Sequence, residues 1–277
     1  MSTPPGKLPI DFVFDSTWLD KLASKHHETY VNAAPFPHIV IDNFLPDEVL
    51  NNVLMEFPSH EQIDWIKFDT PLEKKLASKV ETQIGPYTRF LLYQFNSATF
   101  INFLEALTGI HGLIPDPHFW GGGLHQIQPG GLLKIHADFN FHPVLKINRR
   151  INLLLYLNKE WDENYGGELQ LWDRNMSKCE VKLLPIFNRC VIFNTTDFSF
   201  HGHPDPVSCP TGETRKSLAL YYYSNGRPVE EISEKHTTLW RLRPGEVLNR
   251  NIKATLKKFV PPIVFELRRR VFPKGKV

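Results

Sequence analysis

The run Leu132-Leu133-Lys134-Ile135-His136-Ala137-Asp138 ends with an imidazole and a carboxylate two positions apart. On a β-strand, residues i and i+2 project to the same face, so His136 and Asp138 point together at one ion. A tightly held metal needs a third ligand from elsewhere in the chain. The segment Phe200-His201-Gly202-His203 offers it. Two histidines and one carboxylate with open positions form the facial arrangement suited to non-haem Fe(II) working with O2. His201, which follows Phe198-Ser199-Phe200, is the preferred third ligand. His203 is the alternative, or else an outer-shell or substrate contact. The chain has 12 His and 30 acidic residues, so a lone His-x-Asp arises by chance, and His203-Pro204-Asp205 is a second one. The order of the features that follow sets the first apart.

A 2-oxoacid cosubstrate would need a fixed cation for its distal carboxylate. Arg215-Lys216-Ser217 opens the last alternating stretch. The planar fork of an arginine grips a carboxylate through two parallel hydrogen bonds. Ser217 shares the face of Arg215 and adds a hydroxyl. The competing reading is an exposed charge at a strand start. On Arg150–Leu157, the residues Asn152, Leu154 and Tyr156 share one face, and polar groups on an interior face need partners. A bound carboxylate would be one. Gln126 and Gln128 on the preceding strand pose the same question. All four polar residues are equally readable as satisfied core groups.

The elements that would position these groups change character along the chain. Residues 36–42 read as a strand. Residues 47–57 read as a helix with Val49, Leu50, Val53, Leu54 and Phe57 on one face. Residues 71–83 read as a second, more polar helix. A third is capped by Asn96 or Ser97, carries Phe100, Phe103, Leu104 and Leu107, and is stopped by Gly109. After Gly121-Gly122-Gly123 the pattern alternates, with strands expected at 124–128, 132–137, 149–157, 167–172, 178–184, 189–194 and 215–224. The separators are turn-formers such as Pro129-Gly130-Gly131 and Asn164-Tyr165-Gly166-Gly167. Short strands at this spacing indicate a sandwich or barrel rather than a βαβ fold.

With 277 residues, 42% hydrophobic and 22% charged, the chain can bury a full core. Its net charge of +2 gives no argument for a nucleic-acid partner, and none is expected. Three cysteines without metal-site spacing favour a reducing compartment. No signal-like or membrane-spanning stretch is present, so the expectation is a soluble, cytoplasmic protein. From residue 251 onward there are eight Lys or Arg and one acid, Glu266. A segment touching a membrane or a partner is one reading. A packed segment with a solvated basic face is the preferred one.

Residues 124–224 carry Gln128-Pro129-Gly130, His136-x-Asp138, Arg150 through Asn158, Gly166-Gly167-Glu168-Leu169, Cys190-Val191-Ile192-Phe193, His201 and Arg215-x-Ser217 in order. This series resembles the prolyl-4-hydroxylase-like branch of the Fe(II)/2-oxoglutarate oxygenases. The resemblance implies a mainly β fold, a double-stranded β-helix of jelly-roll or cupin type with flanking helices. With the pattern above, the chain reads as a single compact domain: a mostly helical N-terminal part at 1–110 packing on the core, an oxygenase core at 111–230 and a basic C-terminal extension at 231–277. The resemblance also implies Fe(II) on His136, Asp138 and His201, with 2-oxoglutarate held by Arg215, helped by Tyr156 and Ser217, and by Asn152 and Gln128. O2 is then the oxidant and ascorbate a candidate reductant. The substrate would be a peptide, an amino acid or another small molecule hydroxylated at an unactivated C–H. The presence of Asp138 favours hydroxylation over chloride transfer. The competing classes are a non-catalytic jelly-roll module that binds metal or sugar, and a metal-dependent hydrolase. Neither needs a carboxylate clamp at Arg215.

Overall fold

A computed structural model describes residues 12–247. The basic segment expected from residue 251 lies outside the described residues. Four helices, α1 (Ser16–Val31), α2 (Asp47–Glu56), α3 (Pro86–Phe95) and α4 (Ala98–Thr108), precede most of the β-structure. Their ends follow local chemistry. Asp15 caps α1 by accepting from Trp18 N, and Ser97 caps α4 by accepting from Phe100 N. Gly109 closes α4 in the left-handed region at φ 72°, where a side chain would be strained. Phe100, Phe103, Leu104 and Leu107 are fully buried, as their spacing predicts.

The strands are β1 (His38–Ile41), β2 (Ile66–Asp69), β3 (Glu73–Ala77), β4 (Leu113–Pro115), β5 (Gly123–Ile127), β6 (Leu132–Ala137), β7 (Asn148–Tyr156), β8 (Leu169–Trp172), β9 (Cys179–Leu183), β10 (Cys190–Asn194), β11 (His201–His203), β12 (Arg215–Ser224) and β13 (Leu239–Trp240). They form one antiparallel sheet in the order β1-β10-β7-β12-β5-β3-β6-β11-β8-β9, with β2 added on β3, β4 on β12 and β13 on β6. The sheet curls on itself as a half-barrel, in keeping with the sandwich or barrel that the alternating pattern indicates and the jelly roll that the resemblance implies.

β3 is the hinge of this curl. It pairs with β5 through Leu76–Gln126 and Ala77–His125, and with β6 through Glu73–Leu133 and Lys74–Leu132. The helix expected at 71–83 is therefore replaced by the second strand of a hairpin. Thr70 makes the turn: its hydroxyl accepts from Leu72 N and Glu73 N, and Pro71 presets the backbone. Leu72 and Leu76 are i, i+4 and mimic a helical face. The open edges of β5 and β6 outweigh that propensity, because the pairing satisfies a whole row of backbone groups.

The largest apolar cluster runs from Phe14 through the four helices to Leu153, Leu155, Leu218, Leu220 and Tyr222 on β7 and β12. The helices thus cover the back of the sheet, and the alternate residues of the same strands face the concave side, where the chemistry lies. Among the described residues no helix is long and apolar enough to cross a membrane.

Candidate active site

His136 is the penultimate residue of β6, Asp138 directly follows that strand, and His201 opens β11 opposite His136 in the antiparallel register. One ligand atom from each lies within 4.8 Å of the others. His136 Nε2 is 3.6 Å from Asp138 Oδ1, and His201 Nε2 is 3.4 Å from Asp138 Oδ2. The other ring nitrogens are tethered: His136 Nδ1 to the Lys134 carbonyl at 2.8 Å and His201 Nδ1 to the Ser199 carbonyl at 2.9 Å. Such tethers fix the ring so that Nε2 offers its lone pair to a metal. His203 lies on the same strand but outside this cluster.

Asp138 is held as firmly. Asn152 Nδ2 donates to Oδ2 at 2.6 Å, and Arg149 Nη2 sits 3.1 Å from the same oxygen. Arg149 also donates to Asn152 Oδ1 from Nε at 2.9 Å and from Nη2 at 2.6 Å. Its guanidinium lies over the Tyr221 ring at 3.5 Å and the Phe139 ring at 4.4 Å. Burial pushes the Asp138 carboxyl up, but the charge of Arg149 and the two imidazoles together bring it well below the usual range. Burial, and then the neighbouring His136, lower His201 to about 4, against the pull of Asp138. Both changes leave the groups in the protonation states that metal binding requires: an anionic carboxylate and a neutral imidazole. The donor set, its charge and its anchoring all fit Fe(II).

Further along the same chamber, Arg215 is 5% exposed. Its Nε donates to the Gly167 carbonyl at 2.8 Å and its Nη2 to the Tyr156 hydroxyl at 3.2 Å. Gly167 has φ +73°, and a Cβ there would lie 3.0 Å from Arg215 Cδ, so the glycine leaves room for the guanidinium. Ser217 lines the chamber beside them. The arrangement offers a desolvated cation and two hydroxyls at one end, and a metal triad at the other.

Two expectations need correction. Gln128 lies beyond the end of β5, and the chamber-facing residues of that strand are His125 and Ile127. Alternation places 126 and 128 on the opposite face, where Gln126 donates to the Thr214 hydroxyl. Asn152 does face the chamber, but its side chain serves Asp138 and Arg149 rather than standing free for a cosubstrate. The residues missed from sequence are Arg149, His125 and Lys75. Strict alternation on β7 sends Arg150 inward with Asn152. In the structure Ile151 opposes Tyr222 and Arg149 opposes Tyr223, so Arg150 is the extra residue of a bulge and Arg149 takes the inner face. His125 gave a signal in its parity with Ile127. Lys75 gave none, because its hairpin read as a helix.

The family model of the 2OG-Fe(II) oxygenase superfamily matches residues 122–223, the span from the triglycine through β12. Residues 122–223 thus carry the pattern of a 2OG-Fe(II) oxygenase domain. The cofactors of that family are Fe(II), 2-oxoglutarate and O2. The prolyl 3-hydroxylase OGFOD1 of Mus musculus is 26% identical over 221 residues, covering 74% of this chain and 36% of that protein. The chain therefore spans about a third of the length of this curated relative. Among solved structures, a prolyl hydroxylase of Trichoplax adhaerens, in complex with a hypoxia-inducible-factor oxygen degradation domain peptide, matches with a TM-score of 0.55. It is 18% identical over 75% of this chain and 91% of that one. A Pseudomonas putida prolyl-4-hydroxylase matches with a TM-score of 0.50 and 15% identity over 76% of this chain and all of that one. These likenesses establish the fold.

Proposed function

We propose that this oxygenase is an Fe(II)- and 2-oxoglutarate-dependent hydroxylase acting on a prolyl residue of a peptide or protein. The observation that carries the reading is the convergence of His136, Asp138 and His201 on a chamber that Arg215, hydrogen-bonded to Tyr156, also lines. The prolyl substrate is supported by the name of the curated relative. In this reading residues 111–230 are the catalytic core, the part before them is its buttress, and residues 231–247 lie along its rim.

When bound, Fe(II) supplies the redox chemistry by which 2-oxoglutarate, O2 and R–H become succinate, CO2 and R–OH. The protein's own part is to hold and to exclude. His136, Asp138 and His201 would hold the metal, and three protein ligands would leave coordination positions for cosubstrate and gas. Asn152 and Arg149 fix the Asp138 carboxylate. Arg215 and Tyr156 take the distal carboxylate of 2-oxoglutarate and orient its keto-acid end toward the triad. Ile127, Leu133, Leu154 and Leu169 form the apolar wall that keeps water from the reacting atoms.

Adding Fe(II) and 2-oxoglutarate without oxygen should give the weak visible charge-transfer band of the chelate. Admitting oxygen with a prolyl peptide should then release succinate in step with hydroxyproline. A band with no peptide-dependent succinate would overturn the prolyl assignment, and no band at all would overturn the oxygenase reading.

A further inference from the structure

His203 is 3% exposed, yet neither of its ring nitrogens has a hydrogen-bond partner. Both nitrogens are buried, and the side chain lines the chamber shared by the metal triad and Arg215. Unpaired buried donors are rare because nothing replaces the water they lost. A ligand that enters this chamber would meet that imidazole.

Lys75 enters the same chamber from β3. Its ammonium is 3.7 Å from Glu73, and the side chain is 16% exposed. The registers fix its height. Arg215 opposes Ile127 from one side of β5, and the pairing of Leu76 with Gln126 sets Lys75 level with Ile127 on the other side. His203 opposes Leu133 on β6, beside the point where β3 pairs Glu73 with the same Leu133. The chamber floor therefore gathers Arg215, Lys75 and His203, away from the His136–His201 pair. Burial lowers His125 to about 3, and the charges of Lys75 and Arg215 push it in the same direction, as two cations facing one space would.

We infer that His203 and Lys75 hold the distal carboxylate of the 2-oxoacid beside Arg215 and Tyr156. The inference rests on the proposed oxygenase reading. It extends that site beyond the residues matched by the family model, since Lys75 lies on the N-terminal hairpin. Chemistry favours it, because Arg215 already commits Nε to the Gly167 carbonyl and Nη2 to Tyr156. A carboxylate has about four acceptor positions, more than the rest of that guanidinium fills. The expected consequence is strict selection of a dicarboxylic over a monocarboxylic 2-oxoacid, and a hairpin held down by the cosubstrate itself.

The experiment is calorimetric titration of the Mn(II)-loaded protein, without oxygen, with 2-oxoglutarate and with 2-oxopentanoate, which lacks the distal carboxylate. The wild type should prefer 2-oxoglutarate. In His203→Leu and in Lys75→Met that preference should shrink by roughly tenfold or more, with 2-oxopentanoate binding unchanged. Lys75→Arg should keep most of it. Equal weakening of both acids would show a packing role and overturn the inference, as would an unchanged preference in both variants. A wild type that binds neither acid would instead overturn the oxygenase reading beneath it.

Discussion

At the residue scale, the metal site is decided by which ring nitrogen is free. His136 and His201 spend Nδ1 on backbone carbonyls two residues earlier, and their Nε2 atoms converge on Asp138. His203 has no such tether. Metal analysis of purified variants should find iron lost in His136→Ala, Asp138→Ala and His201→Ala and retained in His203→Leu. The reverse result for the last two would exchange the third ligand. Asn152→Ala should lower metal affinity about ten- to hundredfold, because Asp138 loses the amide that orients it. At the other end, a bidentate charge-assisted contact is worth about 1.5–3 kcal/mol or more. Arg215→Ala should thus raise the 2-oxoglutarate requirement roughly ten- to hundredfold, with iron content unchanged, and Arg215→Lys should fall between. A succinate titration that finds Arg215→Ala indistinguishable from wild type would remove Arg215 from the site.

At the element scale, legibility followed the distance over which each element is determined. His136-x-Asp138 could be read because i, i+2 parity is a property of β6 alone. The expected strands 132–137 and 215–224 match β6 and β12, whose alternation and turn residues are local. Helix α4 was legible from Ser97 and Gly109. The hairpin of β2 and β3 was not, because only the two edges it joins make Glu73–Ala77 extended. Arg149 was hidden by a bulge that parity cannot foresee. The pairing of β11 with β6 shows how tightly such partners are set. A Cβ at Gly202 would lie 2.7 Å from the Leu133 carbonyl oxygen and 2.8 Å from that of Lys134. Gly202→Ala must push β11 off β6, at a cost of roughly 1–3 kcal/mol, and carry His201 away from His136. Its thermal midpoint should drop and its iron content fall well below that of wild type. A Gly202→Ala protein that is fully iron-loaded and as stable as wild type would show that this pairing is looser than its register implies.

At the scale of the whole molecule, the jelly roll encloses a charged chamber in its own core, and acid is where that should tell. His125, His201 and His203 are all lowered, burial being the largest cause in each, with His125 reaching about 3 and His201 about 4. In the unfolded chain the same imidazoles take protons below about 6.5. Between pH 6.5 and about 4 the unfolded state therefore binds more protons than the folded one, and stability must fall as pH falls. The slope is about 1.4 kcal/mol per pH unit for each histidine so buried. Asp138 acts in a different window: its depressed carboxyl adds stability present above its unfolded value of 3.8 and lost only as pH drops below it. Metal-free protein in chelator should show a urea midpoint that is flat above pH 6.5 and declines steadily to pH 4.5. His125→Gln should flatten that decline by about one histidine's share, since an amide can keep the hydrogen bond to the Gly121 carbonyl without titrating. Identical slopes for wild type and His125→Gln would mean that this imidazole is not held neutral in the fold. Saturating metal should raise the midpoint above that of the chelator-treated protein, because only the folded chain gathers the three ligand atoms within reach of one ion.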